Sequence, residues 1–104
     1  MPVKLYIVGR RDLPPGLRAA QMLHAARCFQ EEHPEIERRW FRTSNTIVLL
    51  EVPDGDALEA LAERAREEGV VLTEFSEEPD LGLTALALGP EARRLTSSLP
   101  LALK

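Results

Sequence analysis

The run Val3-Lys4-Leu5-Tyr6-Ile7-Val8 is apolar at odd and even positions alike, apart from Lys4 near its start. Alternation would leave one face of a strand to water; its absence requires cover on both faces. A chain containing such a strand must place layers above and below its sheet. Later segments supply them. Leu17 to Glu32 carries Ala19, Met22, Leu23, Ala26 and Phe29 at helical spacing, the set expected to face the sheet. Gln21, His24 and Cys28 form a stripe bordering that set. Pro34 ends this helix, since the residue before a proline avoids the α region. A short second helix is expected over Pro34 to Phe41, anchored by Ile36, Trp40 and Phe41.

Thr46 to Val52 reads as a second strand. Pro53-Asp54-Gly55-Asp56 then opens a helix with Leu58, Leu61, Ala62 and Ala65 on one face and Gly69 as its C-cap. Val70 to Phe75 is the expected third strand, Ser76 to Gly82 an acidic loop, and Leu83 to Leu88 the fourth strand, antiparallel to the third. Gly89-Pro90 starts a final short helix. The expected fold class is therefore α/β: a three-layer α/β/α sandwich with a four-stranded mixed sheet, in the order β-α-(α)-β-α-β-β-α. At 104 residues, positions 1–104 make one domain.

The net charge of −4 argues against a protein that is basic throughout, but it averages two unlike regions. Residues 1–30 hold five basic side chains against one acid, Asp12, whereas the remainder is acidic. No apolar run approaches the ~20 residues of a membrane span, so no membrane partner is expected. Met1-Pro2-Val3-Lys4 leads directly into the first strand without space for a signal peptide, and the lone Cys28 suits a reducing compartment. The expected location is the cytoplasm.

Chemistry concentrates between Arg10 and Ala26. Pro14-Pro15-Gly16 joins strand to helix, and Arg10, Arg11 and Arg18 crowd the helix mouth, where unpaired backbone N–H groups favour an anion. With Gly16 allowing close approach, these residues are phosphate-binding candidates; the alternative is a solvated loop pairing with Asp12. Gln21 and His24, one turn apart, project from the same side of the helix. A single histidine there is also compatible with a structural hydrogen bond. Cys28 lies mid-helix, without the dipole that would activate a thiol, and is read as a packing residue. Asp80, in the acidic loop, is the candidate base, or else an ordinary turn aspartate. No histidine or cysteine spacing suggests a metal, and no phosphate-loop, dinucleotide or nucleophile-elbow motif occurs.

Arg11-Asp12-Leu13, Gly16, Ala19-Ala20-Gln21 and His24-Ala25-Ala26 resemble the first motif of the type-2 peptidyl-tRNA hydrolases. The resemblance extends through Thr46–Asp54, Leu58–Gly69, Leu83–Pro90 and Leu99-Pro100-Leu101, nearly the whole chain. It implies metal-free, cofactor-free hydrolysis of the ester between a peptide and tRNA. It also implies tRNA as partner and a homodimer. Gln21, His24, Asp80 and Thr84 would be catalytic: Gln21 and His24 orienting ester or water, Asp80 accepting a proton, Thr84 positioning a water or the ester oxygen. Arg10, Arg11, Gly16 and Arg18 would hold phosphates. Two departures stand out. The lysines that flank the family's loop glycine are Pro15 and Leu17 here, and the segment before the last strand is shortened to Asp80, Gly82 and Thr84. The competing expectation is a non-catalytic tRNA- or protein-binding module on the same scaffold.

Overall fold

The computed structural model describes residues 3–104. The reading of Met1 and Pro2 as a bare lead-in lies outside the described residues. The elements are β1 (Lys4–Arg10), α1 (Pro15–Glu32), α2 (Pro34–Thr43), β2 (Thr46–Val52), α3 (Gly55–Glu67), β3 (Leu72–Glu77), β4 (Gly82–Leu88) and α4 (Arg93–Thr96), the last preceded by a 3₁₀ turn at Pro90–Ala92. The sheet order is β2-β1-β4-β3. β1 runs parallel to β2 and antiparallel to β4, and β3 pairs antiparallel with β4, so the sheet is mixed.

β1 is covered on both sides, as its composition demands. Leu5 and Ile7 pack with Met22, Ala25 and Phe29 of α1 and Trp40 of α2. Tyr6 and Val8 pack with Leu58, Leu61, Ala62 and Ala65 of α3 and Leu95 of α4. Strand periodicity thus divides one segment between two cores. The layered α/β fold and its element order agree with the sequence reading.

α1 begins at Pro15, where a missing N–H costs nothing, two residues earlier than expected. Its buried face is Arg18, Gln21, Met22, Ala25 and Phe29. Leu23, expected to face the sheet, is 67% exposed. The helix is rotated because Arg18 and Gln21 find buried hydrogen-bond partners, and their burial moves the inward stripe away from the purely apolar one. Gly9 lets the helix lie close: a Cβ there would meet Met22 Sδ at 2.7 Å and Arg18 Cγ at 3.2 Å. In α2 the Trp40 indole N–H donates to the Thr46 carbonyl at 2.7 Å. Phe41, expected as an anchor, instead faces outward and is 61% exposed.

α3 opens as its sequence implies, the Asp54 carboxylate accepting from the Ala57 N–H at 2.9 Å. β3 starts and ends two residues later than expected, so the turn shrinks to 78–81 and Glu77 belongs to the strand. β4 contains a bulge. Phe75 pairs with Ala85 but Ser76 with Leu83, leaving Thr84 as the extra residue. Leu83 therefore joins the α3 core, while Thr84 and Ala85 both face α1.

Candidate functional site

The basic loop is largely satisfied from within. Arg10 donates to both carboxylate oxygens of Asp12, at 3.0 and 2.8 Å, and to the carbonyls of Leu81 and Leu83, at 2.7 and 3.0 Å. It thereby ties the end of β1 to the β3–β4 hairpin. The hydrogen bond from Arg10 holds the Asp12 carboxyl below its ordinary value, and the same bond raises Arg10. Arg18 turns inward. Its guanidinium donates to the carbonyls of Leu13 and Arg11 and pairs with Glu51 at 3.2 Å, with 10% and 7% of the two side chains exposed. A phosphate would have to displace Glu51, so the structure gives Arg18 a structural task where the sequence suggested an anion contact. Arg11 is the loop cation that still reaches solvent: its side chain is 53% exposed and only 3.5 Å from Glu51 at its nearest. Gly16 lies open to solvent at the helix start.

One helical turn beyond Arg18, α1 faces β3. Strand periodicity puts Thr73, Phe75 and Glu77 on the side toward α1, and each meets one member of a helical stripe. The Thr73 hydroxyl donates to Glu32 at 2.8 Å, Phe75 stacks on His24, and Glu77 accepts from Gln21 at 3.0 Å. The Gln21–His24–Cys28 stripe thus borders the sheet, with its Gln21 end buried and its His24 position exposed. The His24 and Phe75 rings lie 4.7 Å apart and 11° from parallel. Stacking fixes the imidazole plane and leaves its edge to solvent. Among the described residues neither ring nitrogen of His24 makes a hydrogen bond.

Gln21 is the organising side chain. A carboxylate only accepts, so Glu77 compels the amide nitrogen to point at it. The amide oxygen is then aimed inward, where it accepts from the Thr84 hydroxyl at 2.7 Å. Thr84 also lies 3.1 Å from the Phe75 carbonyl and is fully buried. The Thr84 hydroxyl is thus sealed beneath Gln21 and does not itself reach the surface. Asp80 sits exposed in the turn, and among the described residues no hydrogen bond joins it to Gln21, His24 or Thr84. The carboxylate brought to this group is Glu77. Sequence reading missed it by ending β3 at Phe75; extending the strand by one period of two would have put Glu77 on the face that Phe75 occupies. Among the described residues no three metal-ligating side chains converge.

The family model of peptidyl-tRNA hydrolase PTH2 matches residues 3–104. The chain belongs to the type-2 peptidyl-tRNA hydrolase family. Peptidyl-tRNA is accordingly the substrate class its membership implies, and the layered sheet is a type-2 hydrolase scaffold. No curated protein matches the chain significantly. Among solved structures it is similar to a protein of unknown function, Atu0240, from Agrobacterium tumefaciens C58. That match has a TM-score of 0.72 at 14% identity and covers 97% of this chain and 98% of the other. At that identity the likeness speaks for the fold alone. Among the described residues no helix is long and apolar enough to cross a membrane.

Proposed function

We propose that this type-2 family member cleaves the ester between a peptide and the terminal ribose of tRNA, using His24 and Glu77 at the surface and Gln21 and Thr84 beneath them. The observation that carries this reading is the Gln21 amide, held between the Thr84 hydroxyl and the Glu77 carboxylate beside an exposed, stacked imidazole. Water attacks the ester carbonyl and passes its proton to Glu77, which takes the role that sequence reading gave to Asp80. His24 orients the ester and donates to the developing oxyanion or the leaving ribose oxygen. The acyl C–O bond breaks, giving a peptide carboxylate and a free ribose hydroxyl. Arg11 is the loop residue placed to meet a phosphate; Arg10 and Gly16 shape the loop around it. A homodimer and a cytoplasmic location belong to the same reading. The apolar groove of about 230 Å³ that includes Leu23, Ile47, Leu49 and Leu103 is the surface a second copy would cover.

The test is release of peptide from an N-blocked aminoacyl-tRNA. Wild type should turn over, whereas His24→Ala and Glu77→Gln should lose turnover and keep tRNA affinity. Binding without release, even at high protein concentration, would eliminate hydrolysis and leave a tRNA-binding module. The absence of the family's loop lysines, replaced here by Pro15 and Leu17, is the observation that favours this second reading.

A further inference from the structure

Among the described residues, exposed positive charge without an ion pair lies away from the loop that the sequence suggested. Arg10, Arg11 and Arg18 all have acidic neighbours. Among the described residues Arg27 on α1 and Arg38, Arg39 and Arg42 on α2 are exposed and make neither an ion pair nor a side-chain hydrogen bond. Residues 38–50 contain three arginines and no acid. Ile36 and Trp40 turn inward, one helical turn apart, which sends Arg38, Phe41 and Arg42 to the outer face. There they line an open hollow of about 740 Å³ together with Gln30 of α1 and Asn45 after α2. Glu31 and Glu37 also border it; Glu37, in the first turn of α2, has its carboxyl raised by burial. Arg38 follows Glu37 directly in mid-helix, and Arg39 and Arg42 continue toward the C-terminal end, beyond the last acid of the helix. Phe41, with most of its ring in solvent, lies between two guanidinium groups three residues before it and one after it.

We infer that this α2 face is an RNA-docking surface, at which Arg38 and Arg42 contact phosphodiesters and Phe41 stacks on an unpaired base. Free guanidiniums around an exposed aromatic ring match the two demands of a single strand, a charged backbone and flat bases. An acidic peptide would use the charges but leave the ring's breadth unexplained. The inference rests on the hydrolase reading for the choice of RNA: a tRNA is far larger than the ester site and must be held by another surface. α1 supplies the connection, since His24, Arg27 and Gln30 follow one another at three-residue steps from the site toward the hollow.

The experiment measures binding of deacylated tRNA by fluorescence anisotropy over a salt series, separately from turnover. For Arg38→Gln/Arg42→Gln, loss of two phosphate contacts should lower the slope of log affinity against log salt by about 1.4–1.8. Affinity should fall at least tenfold, with KM raised and kcat retained, and Arg38→Lys/Arg42→Lys should recover much of the slope. Phe41→Leu should weaken binding by roughly 5- to 150-fold, the range of one stacked base, with the slope unchanged. Affinity and slope equal to wild type in the double variant, with the loss appearing instead in Arg11→Gln, would overturn the inference. So would a change in oligomeric mass on Phe41→Leu with RNA affinity intact, which would mark an interface between copies. Wild type that binds through α2 without hydrolysing removes the hydrolase reading and keeps this one; turnover with α2-independent binding does the reverse.

Discussion

The hydroxyl of Thr84 donates to the amide oxygen of Gln21 across 2.7 Å, joining β4 to α1 within the interior. The contact exists because a bulge turns Thr84 toward the helix, and it holds the amide in the orientation that Glu77 dictates.

Thr84→Val keeps the shape of the side chain but leaves the buried Gln21 oxygen without its donor. The expected loss is about 1–3 kcal/mol of stability, visible as a lower urea midpoint with unchanged m-value. Turnover should fall as well, because the amide is then free to rotate away from Glu77. Thr84→Ser should recover most of both. A valine variant as stable and as active as wild type would show that the bond orients nothing.

Glu77→Gln removes the acceptor that dictates the amide's orientation and the proposed base together, at a position open to water. Stability should change by less than about 0.5 kcal/mol, as for other surface substitutions, while kcat falls about 100-fold or more, the usual scale for losing a general base. Asp80→Asn should leave kcat within a few-fold. The opposite ranking in single-turnover release would return the base to the turn.

Arg18 and Glu51 form a buried pair in which each needs the other. Arg18→Met should cost up to about 3–5 kcal/mol, because the buried carboxylate is left with only the exposed Arg11 at 3.5 Å. The double variant Arg18→Met/Glu51→Leu should regain a large part of that loss in chemical denaturation. A phosphate-binding Arg18 would predict the reverse, a folded single variant with weakened tRNA binding.

Asp12 sets part of the acid limb of stability. Its folded carboxyl lies below its unfolded value because Arg10 donates to it, so its contribution is present above the unfolded value. That contribution disappears as pH drops through the lower, folded value. Urea midpoints should therefore decline from about pH 5 downward, and Asp12→Asn should flatten the decline. Identical acid limbs in the two proteins would show that the bridge is energetically idle, as exposed pairs often are.

Much of the architecture could be read from residue order. The unalternating β1, the Asp54 cap and the Leu58–Ala65 stripe each specify their environment locally. The misreadings on α1 share one origin. Arg18 and Gln21 look like solvent-facing residues in a helical projection, and only partners far along the chain, Glu51 and Thr84, make them interior ones. Leu23 was displaced outward by the resulting rotation of α1, whereas Phe41 faces outward because Ile36 and Trp40 take the inward side of α2. Around the site, Gln21 and His24 were legible as a pair because both lie on one helix. Glu77 was not, since its part depends on where a strand ends and on a bulge in the strand beside it. The free cations of α2 were hidden for a similar reason: charge in a sequence does not reveal which arginines are already spoken for.

The bulge in β4 also makes the chain sensitive to length at one point. Removing a single residue at 84 would restore regular pairing between the hairpin strands and replace the threonine with an apolar neighbour beneath the glutamine. The sheet would gain continuity and lose its polar fastening to the helix. Irregular pairing here is a structural requirement, and variants that shorten the hairpin should be judged by strand phase before side-chain identity.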